Sequence, residues 1–213
     1  MSIAISNVCV SFGDKVIYDH LNLEVSPGEF VCILGKSGCG KTILLNTILG
    51  NFKPNSGMIS VSGVGVNNCI GMVYQDFFIL PWLTLRENIR LATSNEEDIE
   101  KYAKVLKISE FLDLFPKAVS IGTKQRASIV RALCSNSNIL LMDEPLCSVD
   151  AITANGIRNE LKHICKYKTV LYVTHDINEA LSIASRIICF KDGKISLDSN
   201  PKHLSFDDIF LHL

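Results

Sequence analysis

Eight consecutive residues, Gly35, Lys36, Ser37, Gly38, Cys39, Gly40, Lys41 and Thr42, constrain this chain more than any other stretch. An apolar run at 30–34 feeds into them. Residues 41–49 follow, with Ile43, Leu44, Thr47 and Ile48 at helical spacing. Strand, glycine-rich turn and helix in that order make backbone N–H groups converge at the turn, where the positive end of the helix also points. The octapeptide fits G-x-x-x-x-G-K-[ST], so the whole stretch reads as a phosphate cradle. Its glycines let the backbone curl around an anion, Lys41 adds a point charge, and Thr42 adds a hydroxyl for Mg2+. Cys39 reads as a small passive residue of the loop.

The flanking sequence gives the organisation. Ile3, Ile5, Val8 and Val10, a Gly13-Asp14 turn, then 16–18 and 21–25 predict an antiparallel β region closed by Pro27-Gly28. Short strands are expected at 58–61 and 69–74. A different texture begins there. Thr84 and Glu87 have capping-box spacing, and Asn95 precedes the acidic turn Glu96, Glu97, Asp98, predicting helices to about residue 115. After a helix at 124–134, apolar strands at 139–142, 169–174 and 187–190 alternate with helices at 154–165 and 177–184. Asp192-Gly193 marks a last hairpin turn. The expected fold is α/β, a P-loop NTPase with a mostly parallel central sheet, an N-terminal antiparallel β subdomain and an inserted helical subdomain at about 76–123. All of it belongs to one domain, 1–213.

A second constellation follows the strand at 139–142. Asp143 and Glu144 emerge at its C-terminal end, where open α/β sheets place ligands. Two adjacent acids there divide the work: Asp143 holds Mg2+ and Glu144 polarises an attacking water as general base.

With both motifs in this order, the chain resembles an ATP-binding subunit of the ABC transporter family over nearly its whole length. The resemblance implies further roles. Phe12, with Val16 beside it, resembles the aromatic contact to adenine. Gln75, at a strand end, resembles the glutamine that senses the γ-phosphate and its Mg2+. Ser148-Val149-Asp150 resembles the segment that contacts a second cassette, and His175 resembles the switch histidine. Catalytic roles thus fall to Glu144, His175 and Gln75.

The family's signature usually reads Leu-Ser-Gly-Gly-Gln, and this chain has Val119-Ser120-Ile121-Gly122-Thr123. Ser120 and Gly122 match. Ile121 stands where a glycine is usual, so two backbones remain open: a helical one, in which the amide still faces phosphate, or one with positive φ, strained for a β-branched residue. Hydrolysis at full rate depends on which it is. The alternatives to a hydrolysing transport subunit are a cassette with impaired hydrolysis that relies on a partner ATPase, and a non-transport member of the family.

Residues 77–84, Phe-Phe-Ile-Leu-Pro-Trp-Leu-Thr, are similar to the segment found in the nitrate, sulfonate and taurine importer branch. That resemblance implies a transmembrane permease partner docked on the helical subdomain, a second ATPase subunit as homo- or heterodimer, ATP and Mg2+ as cofactors, and import of small solutes, with a lean toward anionic ones.

Composition narrows the partners. Twenty-one basic and twenty-two acidic side chains give a formal charge of −1, so no whole-molecule field draws nucleic acid. The apolar runs fall far short of the ~18 residues that suggest a membrane span. The first residues lack a basic region followed by an apolar core, and the eight cysteines form no C-x-x-C pair. The expectation is a reduced, cytoplasmic protein, peripheral on the cytoplasmic face of a membrane.

Overall fold

The computed structural model describes residues 1–62 and 70–213. The predicted strand at 69–74 begins at Cys69, which lies outside the described residues. In chain order the elements are β1 (Ile3–Phe12), β2 (Lys15–Val25), β3 (Phe30–Gly35), α1 (Lys41–Ile48), β4 (Ser56–Val61), β5 (Ile70–Val73), α2 (Leu85–Arg90), α3 (Glu96–Val105), α4 (Ile121–Cys134), β6 (Ile139–Asp143), α5 (Ala151–Ile164), β7 (Thr169–Val173), α6 (Ile177–Ile183), β8 (Arg186–Lys191), β9 (Lys194–Ser199) and α7 (Phe206–Leu211). They form two units, one from Met1–Asn68 with Cys165–Leu213, the other from Cys69–Ile164.

In the first unit, the alternation of Ile3, Ile5, Val8 and Val10 turns one face of β1 inward, and β1 pairs antiparallel with β2 and β4. The segments expected at 16–18 and 21–25 are one strand. His20 takes φ 54° and the register slips beside it, so β2 continues through a bulge that its sequence pattern hides. β3 and β7 are buried at every position and mostly apolar, which suits strands covered on both faces. β3 runs parallel to β7 and β8, and β9 closes that edge antiparallel to β8. This is the mostly parallel arrangement expected.

In the second unit, β5 pairs parallel with β6, and α2, α3 and α4 pack together through the buried side chains Leu85, Ile89, Ile99, Ala103, Ile129 and Val130. Thr84 caps α2 in a full capping box with Glu87, and Asn95 caps α3 through the amides of Glu97 and Asp98, both as the sequence predicts. α4 starts three residues earlier than expected, with Ser120 as its N-cap. Among the described residues no helix is long and apolar enough to cross a membrane.

Candidate functional site

The predicted residues fall on both units. In the first, β3 ends at Gly35 and delivers the chain into the loop. Gly38 and Gly40 take φ values of 80° and 108°, a region that side chains with a Cβ avoid. A Cβ on Gly40 would also stand 2.6 Å from the Tyr18 hydroxyl, which donates to the Gly40 carbonyl. Lys41 opens α1 and is only 7% exposed. Its Nζ donates to the carbonyls of Gly35 at 2.6 Å and Lys36 at 3.1 Å, which turns the ammonium back across the loop. Thr42 is exposed on the first turn.

Lys36, Ser37, Gly38 and Cys39 line a cavity of about 550 Å3 together with Lys15 and Val16, within the range that takes a nucleotide-sized ligand. Phe12 ends β1 half exposed, with its ring edge-on to Phe52 at 5.7 Å, and is not among the residues lining that cavity. His175 follows β7 and is exposed. Its neighbours are fixed: Asp176 caps α6 through the amides of Asn178 and Glu179, and the hydroxyls of Tyr172 and Thr174 donate to the buried Glu179 carboxylate.

In the second unit, β6 brings Asp143 to its C-terminal end at 2% exposure. Glu144 comes next with φ 45°. Gln75 stands two residues beyond β5, exposed. Ser120 caps α4, its Oγ accepting from the Thr123 amide at 3.1 Å. Ile121 is the first helical residue and is absent from the positive-φ residues, so the strained alternative does not arise. Thr123 is buried, its hydroxyl bonded to Ser120 Oγ and to the Arg126 guanidinium. Asp150 accepts from the Thr153 amide at 3.0 Å at the start of α5, and that bond first, then the Thr153 hydroxyl, holds its carboxyl below the usual range.

One residue that the sequence reading passed over binds the turn after β6. Gln125, fully buried in α4, donates from Nε2 to the Glu144 carbonyl at 3.0 Å and accepts at Oε1 from the Ser148 amide at 3.0 Å. A glutamine between Lys124 and Arg126 looks like a solvated helix face. The only available signal was its place three residues after Gly122, on the same side of the helix.

The donor set suits a phosphate and its metal. In the first unit the loop offers left-handed glycines, a buried ammonium and an exposed Thr42 hydroxyl beside an open cavity, and in the second unit β6 ends on the carboxylate of Asp143, a hard oxygen donor.

Comparison with known proteins agrees. Residues 18–147 match the ABC transporter family model. The chain is 37% identical over 96% of its length to an Fe(3+) ions import ATP-binding protein of Fusobacterium nucleatum. It is 35% identical over 95% of its length to a maltose/maltodextrin import ATP-binding protein of Vibrio cholerae, and it spans 59% of the length of each of these relatives. Among solved structures, the dimeric post-hydrolysis state of the ATP-binding cassette MJ0796 bound to ADP and Pi superposes with a TM-score of 0.84 at 31% identity, covering 95% of this chain and all of that one. From loop, strand-end acids and fold together, this chain belongs to the ABC transporter family.

Proposed function

We propose that the protein binds and hydrolyses ATP and uses the cycle to drive a membrane permease. The observation that carries this reading is the loop 35–42, with its left-handed Gly38 and Gly40, buried Lys41 and adjoining cavity. ATP enters with its phosphates on the loop amides and on Lys41, which exchanges loop carbonyls for phosphate oxygens. Thr42 and Asp143 supply oxygen ligands for Mg2+, with Gln75 as a further ligand and sensor of the γ-phosphate. Glu144 takes a proton from the attacking water, and His175 holds the γ-phosphate side of the reaction. Val16 and Phe12 flank the base.

A second copy or a related cassette supplies Ser120 and Gly122 across a dimer, with Asp150 near that interface. The dimeric state of the MJ0796 cassette supports this arrangement. The permease docks on the helical unit, where Phe78, Trp82, Leu91 and Phe115 are exposed. Relatives named for iron, maltose and carnitine transport favour import. Import of a small anionic solute is the narrower reading and rests on residues 77–84. The working place is the cytoplasmic face of a membrane.

The test is Glu144→Gln. ATP affinity, read with a fluorescent analogue, stays within threefold while turnover falls about 10²-fold or more. Turnover at the wild-type rate would refute the assignment of the base.

A further inference from the structure

We propose that Gln125 is a positioning residue: its side-chain amide clamps the turn from Glu144 to Ser148 onto α4 and so sets the direction of the Glu144 carboxylate. The inference rests on the reading of Glu144 as general base.

Three observations lead to it. Glu144 sits at φ 45°, a well that a residue with a Cβ occupies only when its surroundings hold it there. Its carbonyl accepts from Gln125 Nε2 at 3.0 Å and from the Cys147 amide at 3.3 Å, so the peptide after the carboxylate is gripped twice. The other end of the same amide, Oε1, accepts from the Ser148 amide at 3.0 Å. One planar group thereby fixes both ends of a five-residue turn, and with 0% exposure no water competes for either bond.

Gly122 completes the clamp. It lies one turn before Gln125 on α4, and a Cβ there would stand 2.8 Å from the Ser148 carbonyl oxygen. The helix therefore lies directly on the turn's backbone. Gly122 is needed for this approach within the chain, apart from any contact it makes to a nucleotide on another subunit. A shift of the first turn of α4 moves the peptide of Glu144 with it, so the signature segment and the base travel as one piece.

A buried glutamine that merely holds the fold together predicts loss of stability with no particular link to Glu144. The two roles separate in a double-mutant comparison with ATP and Mg2+. Gln125→Met keeps the shape and removes both bonds. It lowers kcat by about 10- to 100-fold with KM for ATP within threefold, because the base is misdirected while the phosphate loop is untouched. In a Glu144→Gln background, where the base is already gone, Gln125→Met costs less than about twofold more. Losses that multiply, or a Gln125→Met kcat within threefold of wild type, overturn the proposal.

If Gln125→Met loses ATP binding, Gln125→Glu carries the same comparison, since it keeps an acceptor for Ser148 but sets an oxygen against the Glu144 carbonyl. Exchange of the Ser148 amide gives a readout independent of turnover. It speeds up about tenfold or more in Gln125→Met, and an unchanged rate refutes the clamp. Wild-type turnover in Glu144→Gln alone defeats the base assignment, whereas a normal response there with independent Gln125 losses defeats only the positioning role.

Discussion

The hydroxyl of Tyr18 donates to the carbonyl of Gly40, fastening β2 of the N-terminal sheet to the residue that precedes α1. Burial pushes the Tyr18 phenol well above its ordinary value, so it remains a donor across the working pH range. Tyr18→Phe removes one of that carbonyl's two donors, the Leu44 amide at 2.9 Å remaining, and lowers unfolding free energy by about 0.5–1.5 kcal/mol. Gly40→Ala is worse: the new methyl falls 2.6 Å from the Tyr18 oxygen at a φ of 108°. Urea unfolding and titration with a fluorescent ATP analogue check both. Gly40→Ala weakens ATP binding about 10²-fold or more, and Tyr18→Phe by several-fold.

Arg86 ties three segments of the helical unit together, reaching Asp113 at 2.8 Å, Glu100 at 2.7 Å and Glu96 at 3.1 Å. Its hydrogen bond holds the Asp113 carboxyl below the ordinary 3.8, while Arg90 first and Arg86 second hold Glu96 below 4.5. A carboxylate whose folded pKa is depressed stabilises the fold above its unfolded value, and that contribution is lost as pH falls through the folded value. The melting temperature therefore drops on acidification from about pH 4.5 downward. Arg86→Met lowers it at pH 7 and flattens the acid limb, and 1 M salt narrows the difference between the proteins. An acid limb identical in both proteins would count against this network.

Asn88 is fully buried and uses its whole amide: Oδ1 accepts from the Leu80 N–H at 2.7 Å, and Nδ2 meets the carbonyls of Leu80, Leu83 and Thr84. It shapes the segment that presents Trp82, which is the single tryptophan of the chain. Asn88→Ala strands the Leu80 N–H and the Leu83 carbonyl, since the Leu80 and Thr84 carbonyls keep backbone donors, and costs about 2–3 kcal/mol. Acrylamide quenching of Trp82 reports the local loosening and rises in the variant. A stability change under about 0.5 kcal/mol would show that water replaces the amide without loss.

Local signals carried most of the legible structure. The phosphate loop, the capping box at Thr84 and the Asn95 cap each need only a few residues whose chemistry is complete in sequence. Features set by distant neighbours were hidden. β4 starts at Ser56 rather than 58 because Gly57, at φ 85°, lets the strand lie against the Asn7 carbonyl, where a Cβ would stand 2.2 Å away. α4 takes in Ile121, Gly122 and Thr123, poor helix formers by propensity, because the Ser120 cap and the buried Thr123 outweigh it. α7 is six residues long, too short for periodicity to announce it. Burial pushes the Cys134 and Cys165 thiols up to about 12, so these two stay protonated.

Ile121 decides whether the altered signature matters. The residue is helical, its side chain is 58% exposed, and Ser120 caps the first turn of α4 through the Thr123 amide. Backbone geometry is therefore supplied by the helix and does not need glycine. Ile121→Gly frees the unfolded chain and costs up to about 1 kcal/mol of stability, while ATP affinity is unchanged and turnover shifts by less than about threefold, since no donor is gained. Steady-state ATPase rates of the two proteins, at matched protein concentration so that dimerisation is equal, give the comparison. A rise of tenfold or more in the glycine variant would show that the exposed Ile121 side chain itself obstructs closure, and the site would then be one slowed by bulk rather than by backbone.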